Sequence, residues 1–246
     1  MVTGKDREHL PLAHLSLRSF EEQTYPYKAM IILNDGELST LQNTSFVRNP
    51  CICERRVRKA VGQKLGTLRN MLMRMVPAGK VWMQWDDDDY RSRECMQGQL
   101  QVMMNNASDM VFLRRQIHVD MLWNSTFKYE YGGWGLWGTL MVNTSKPAAR
   151  TLELPNLDRG EDLYYDDLRA QLRHTVWDNE PQQYFRIIHG RNTWNRAHFK
   201  PDLRFRRNTW CLLMDRWCTD EVKDKMRAIF DLYGKAALSW NVSSLT

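Results

Sequence analysis

Four aspartates, Asp86, Asp87, Asp88 and Asp89, follow Trp82-Met83-Gln84-Trp85 without a break. Carboxylates packed this closely repel one another and take up protons unless a cation neutralises them. Oxygen donors of this kind suit Mn2+ or Mg2+. In an extended chain, residues two apart face the same way, so Asp86 and Asp88 are expected to converge on one ion. An acidic run can equally be a solvated turn, but the aromatic residues ahead of this one argue against an idle surface loop. A second acidic stretch, from Asp158 to Asp167, contains Gly160-Glu161-Asp162. The five cysteines offer less chemistry. Cys51 and Cys53 are too close for an ordinary bridge, and no second pair has zinc-ligand spacing, so reduced thiols are expected.

The elements that must present these groups read as an α/β alternation. Residues 80–85 form an apolar strand whose C-terminal end carries the aspartates, and that end is where open α/β sheets bind ligands. Ahead of it come a short strand ending at Thr3 and a helix opened by Pro11 that runs to about Gln23. A strand over 28–33 then closes in the turn Asn34-Asp35-Gly36, and a helix over 63–76 places Leu65, Leu68, Leu72 and Met75 at helical spacing. After the aspartates the pattern gives a helix over 94–105 and a strand over 110–113. The second half is less regular. A loop at 132–135 precedes a strand at 139–143, and a helix spans 160–172 with acidic residues in its first turn. A strand at 184–188 breaks at His189-Gly190, and a surface helix spans 220–233. The first strand has almost no residues before Thr3, so it is short or the native chain starts upstream.

With 246 residues, 43% hydrophobic and 26% charged, the chain suits one domain, or one domain with a small C-terminal appendage. No stretch reaches the roughly 20 apolar residues of a membrane span. Lys5, Asp6, Arg7 and Glu8 occupy the place of a signal peptide's apolar core, so a cytoplasmic location is expected. The net charge of +6 suits a polyanionic partner such as a diphosphate, nucleic acid or acidic membrane surface. The basic residues are dispersed and form no known RNA or DNA motif, so nucleic acid is not expected. Of the 10 tryptophans, Trp123, Trp134, Trp137, Trp177 and Trp194 gather in the second half, as sugar-binding faces or as core. Metal-dependent nucleotidyl or phosphoryl transfer stays open as an alternative, because clustered carboxylates also serve that chemistry. So does a basic nucleic-acid-binding module.

Thr3 after a short strand, Asp35 after a second, Arg69-Asn70 in a helix, Trp85 followed by four aspartates, and Gly160-Glu161-Asp162 occur in that order over residues 1–195. Together they resemble glycosyltransferase family 2. The resemblance implies an α/β GT-A fold: three Rossmann-like layers around a mixed, mostly parallel sheet. Residues 1–115 would be the nucleotide-sugar-binding half, 116–200 the acceptor-binding and catalytic half, and 201–246 a helical extension. It also implies inverting, metal-dependent transfer from a nucleoside-diphosphate sugar, UDP being the commonest carrier, to a glycan or other hydroxyl acceptor. Thr3 and Lys5 would line the nucleotide pocket, Asp35 would hold the base, and Arg69, Asp86 and Asp87 would contact the donor. Asp88, Asp86 and Asp89 would hold Mn2+ or Mg2+, with His189 a further candidate ligand. Asp162 would be the general base, with Glu161 beside it. Gly66-Thr67-Leu68-Arg69-Asn70 departs from the family's Gly-x-x-x-Ala-Arg-Asn pattern.

Overall fold

A computed structural model describes residues 1–4, 9–58, 60–121, 125–130 and 135–193. The first layer comprises β1 (Val2–Thr3), α1 (Leu10–Glu21), β2 (Met30–Asn34), β3 (Ile52–Arg56) and α2 (Leu65–Arg74). Its three strands form a parallel sheet in the order β1–β2–β3. Pro11 sits in the first turn of α1, where its missing N–H costs no hydrogen bond. That helix buries Leu17 and Phe20 against Met1, Met30, Ile32 and Trp85.

The chain continues through β4 (Val81–Met83), β5 (Asp89–Arg91), α3 (Cys95–Asn105), β6 (Met110–Leu113), β7 (Arg115–Asp120) and β8 (Ser125–Glu130). It then runs through β9 (Met141–Asn143), α4 (Pro147–Thr151), α5 (Tyr165–Arg169), β10 (His174–Trp177) and β11 (Tyr184–Ile188). A second sheet has the order β10–β6–β9–β4 and a third the order β5–β11–β7–β8. The four residues of β6 are fully enclosed, which is why they read as a continuous apolar run rather than an alternation. Parallel pairing holds the whole first sheet. The other two are mixed, so among the described residues four of the eight strand pairings are antiparallel.

The strand expected over 80–85 is shorter, and the difference matters. Ladder pairing ends at Met83, and the chain turns at residues 87–88 before joining the third sheet at Asp89. The aspartates therefore form a crossover between two sheets. The helix expected over 160–172 is a 3-10 turn, Glu161–Tyr164, followed by the short α5. The tip of the 132–135 loop and the helix at 220–233 lie outside the described residues. Among the described residues, no helix is long and apolar enough to cross a membrane.

Candidate active site at the aspartate turn

The aspartate turn is held from behind by groups that leave its carboxylates free to point elsewhere. Ser16 of α1 donates its hydroxyl to the Asp86 carbonyl at 2.8 Å and accepts from Trp85 Nε1 at 2.9 Å. Arg91 is 2% exposed and lies between the rings of Trp85 and Tyr184, 4.9 and 4.6 Å from their centres. Its Nη2 donates to the Gln84 and Gly138 carbonyls at 2.7 and 3.2 Å. A buried guanidinium satisfied by carbonyls and aromatic faces acts here as a strut.

The four carboxylates then diverge. Asp86 Oδ1 accepts from Arg69 Nη2 at 3.0 Å and from Gln84 Nε2 at 3.2 Å. Asp87 Oδ2 lies 2.9 Å from His9 Nε2. Asp88 Oδ2 lies 3.1 Å from His189 Nε2 and accepts from Asn192 Nδ2 at 3.1 Å. Asp89 is 3% exposed, takes the Tyr184 hydroxyl and the Ile187 N–H, and faces Arg186 across the β5–β11 ladder. Burial, with the Asp88 carboxylate next to it, pushes Asp89 up to about 7, while Arg186 pulls the other way. The backbone turns at residues 87–88, so the alternation of an extended chain does not set the directions of Asp86 and Asp88. One ligand atom each from His9, Asp87 and Asp88 instead fall within 4.8 Å of one another. Asp86 is engaged by Arg69, and Asp89 serves the interior of the third sheet. Among the described residues, no group of three such ligand atoms this close includes Asp86 or Asp89.

Arg69 reaches across to the Glu161-Asp162 element, 2.5 Å from Glu161 Oε1. Its neighbour explains the placement. Asn70 Nδ2 donates to the Leu154 carbonyl at 2.7 Å, and its Oδ1 accepts the Leu154 N–H at 2.8 Å. Gly66 lets the start of α2 approach the same segment, since a Cβ there would stand 1.9 Å from the Pro155 carbonyl oxygen. Asp158 adds a bond to the Leu65 N–H at 3.2 Å. Gly160, at φ 74°, turns the chain into Glu161. Burial works against the charge on Arg69, but Asp86, Tyr165 and Glu161 hold its guanidinium above the ordinary range. Burial raises Glu161 although Arg69 opposes it. Asp162 is only half buried, and its side chain makes no hydrogen bond or ion pair among the described residues.

A cavity of about 1180 Å3 joins these groups; its polar wall includes Thr3, Asp35, Arg69, Asp86, Asp162 and Arg186. An apolar wall continues along Met30, Leu72, Val76, Trp82 and Met83. Asp35 lines the cavity within a turn that its neighbour closes: Asn34 Oδ1 accepts the Gly36 N–H at 2.8 Å. Gly4 and Gly36 pass so closely that a Cβ on either would lie 2.3 Å from the other's backbone. Lys5 falls outside the described residues, as do Trp123, Trp134 and Trp194. Trp137 packs on Phe112 and Arg169, and Trp177 lies over Gly98; both serve the core. Sequence reasoning missed His9, Gln84, Arg186 and Asn192. Only Arg186 left a signal, as a lone charge inside the apolar run of β11.

No family model and no curated protein matches the chain. Solved structures do. TarS 1–349 of S. aureus in complex with UDP superposes with a TM-score of 0.61 at 15% identity, over 77% of this chain and 60% of that one. The same protein with UDP-GlcNAc gives 0.61 at 16% identity, over 76% and 58%. A longer TarS structure gives 0.59 at 15% identity, over 77% and 36%. The chain therefore spans about 60% of the length of TarS 1–349. At this identity the likeness establishes the fold, the mixed α/β, GT-A-like architecture.

Proposed function

We propose that this chain is a glycosyltransferase that moves a sugar from a nucleoside-diphosphate donor, UDP foremost, to an acceptor hydroxyl with inversion and with a divalent cation. The observation that carries the reading is that one cavity is lined by Thr3, Asp35, Arg69, Asp86 and Asp162 together. TarS, which shares the fold, has been solved with UDP and with UDP-GlcNAc.

In this reading Asp35 and Thr3 receive the nucleoside. Asp86 and Arg69 orient the donor, with Glu161 holding Arg69 in place. Asp162 takes the proton of the acceptor hydroxyl as that oxygen attacks the anomeric carbon. The bond from this carbon to the diphosphate oxygen breaks, and its electron pair leaves with the diphosphate. A positioned carboxylate base of this kind contributes about 10²–10⁴-fold. Arg186, on the cavity wall, supplies fixed positive charge. The donor set at Asp87 and Asp88, two carboxylates with imidazoles beside them, fits Mn2+ or Mg2+. Asp88 would hold the ion, steadied by His189 and Asn192. When bound, the cation neutralises charge on the departing diphosphate.

The split of the run favours this reading over two-metal phosphoryl transfer. Such enzymes clamp a pair of ions roughly 3.5–4 Å apart with shared carboxylates, whereas Asp86 and Asp89 are committed elsewhere. Thermal melting of the full chain with Mn2+ and a panel of nucleoside-diphosphate sugars tests it. One donor class should raise the midpoint; a panel with no shift, including UDP sugars, would overturn the assignment.

A further inference from the structure

We infer that His9 is a direct cation ligand, completing with Asp87 and Asp88 a protein-built site that binds a transition-metal ion before any nucleotide arrives. The inference deepens the reading above, in which only Asp88 was assigned to the ion. His9 stands at the start of α1, with its side chain 3% exposed, and its Nε2 is 2.9 Å from Asp87 Oδ2. The Asp87 and Asp88 side chains are 9% and 14% exposed. Three donors around one ion of this size stand about 3–4 Å apart. Those of His9, Asp87 and Asp88 lie within 4.8 Å before any ion draws them together.

Charge points the same way. Adjacent, poorly solvated carboxylates disfavour each other's ionised form, and a bound cation relieves that cost. Among the groups facing Asp87 and Asp88 are the imidazoles of His9 and His189, which bind metals in their neutral form. Around them is the supporting layer such sites require. His189, whose ring centre is 5.5 Å from that of His9, meets Asp88 at 3.1 Å. Asn192 bridges the Asp88 carboxylate and the Ile187 carbonyl at 3.1 and 2.8 Å. The site therefore joins three separate parts of the fold: the start of α1, the aspartate turn and the end of β11. A nitrogen donor shifts preference away from Mg2+, which demands oxygen, toward Mn2+ and later metals.

The test is titration of the full chain with Mn2+ in the absence of nucleotide, free ion being read by electron paramagnetic resonance. Pulsed measurements on the loaded protein then look for coupling to ¹⁴N. We expect one tightly bound Mn2+, a clear nitrogen coupling, and displacement by Mg2+ only at about 10-fold or greater excess. H9Q should weaken Mn2+ about 10-fold or more and remove the nitrogen signal, with D87N weakening it comparably. Wild-type affinity in H9Q, or no nitrogen coupling in the wild type, overturns the inference. So does a coupling that survives H9Q, because it would belong to His189. The wild-type spectrum stands even if H9Q does not fold. Because no nucleotide is present, Mn2+ binding without donor binding would sink the transferase reading and leave this one intact.

Discussion

Asp86 and Asp88 are two residues apart, yet they meet different kinds of partner. Asp86 faces Arg69, a permanent cation that also holds Glu161. Asp88, with Asp87, faces histidines. A guanidinium cannot be titrated away, so the first cluster stays assembled with or without ligand. Imidazoles can give up a proton and accept a metal, so the second cluster is exchangeable. In the proposed reading one acidic run supplies both a fixed anchor and a loadable site, distinguished by their partners.

Removing the fixed cation should have the largest effect. Arg69→Met leaves Asp86 and Glu161 facing each other with little solvent, and breaking a buried pair in this way costs about 3–5 kcal/mol. Urea unfolding should show that loss, with Arg69→Lys recovering part of it. His189→Ala should leave stability in chelator nearly intact while weakening Mn2+ binding; equal destabilisation by both substitutions would erase the contrast.

The next effect is on ligand affinity. Asp88→Asn should reduce affinity for UDP in the presence of Mn2+ by about 10–100-fold, measured by competition with a fluorescent nucleotide. The same variant should lose little affinity when chelator is present throughout, because the ion is then absent from both proteins.

Asp162→Asn sharpens the comparison from the catalytic side. This carboxylate belongs to neither cluster, so folding and donor affinity should survive while transfer falls by about 10²-fold. Normal turnover would reduce Asp162 to a residue at the start of a 3-10 turn.

The smallest expected effect lies outside the run, where a carboxylate is held by neutral donors. Burial works to raise the Glu54 pKa, but hydrogen bonds from Asn34, Ser39 and the Thr40 and Leu41 N–H groups lower it below its ordinary value. The folded state therefore prefers the ionised form. Its contribution is present above the unfolded pKa of glutamate and is lost as pH falls through the lower folded value. Glu54→Gln should flatten the acid limb of a plot of stability against pH by lowering the neutral plateau while leaving the acid end nearly unchanged.

What could be read from the sequence depended on the range of the interaction. Apolar runs at β2, β6 and β11 were visible because their side chains are enclosed and their composition says so. β3, Ile-Cys-Glu-Arg-Arg, and β7, Arg-Gln-Ile-His-Val-Asp, gave no such signal, because their ladders carry charged and polar side chains. The aspartates were visible as a group, but their directions were not. Those depend on a turn at residues 87–88 and on partners far away in the chain, His9 and His189 among them. The pairing of Arg69 with Glu161 likewise spans 92 residues and is made by the Asn70–Leu154 clasp, which no local pattern announces. The order of Thr3, Asp35, Arg69 and Glu161-Asp162 carried information that spacing alone did not.

Calorimetric titration of UDP into the full chain, with Mn2+ and then with chelator, tests the central claim most directly. The account predicts saturable binding at one site per chain in Mn2+, with affinity falling at least about 10-fold in chelator. No binding of UDP or of any other nucleoside diphosphate in Mn2+ would contradict it, and so would binding of equal strength without the ion.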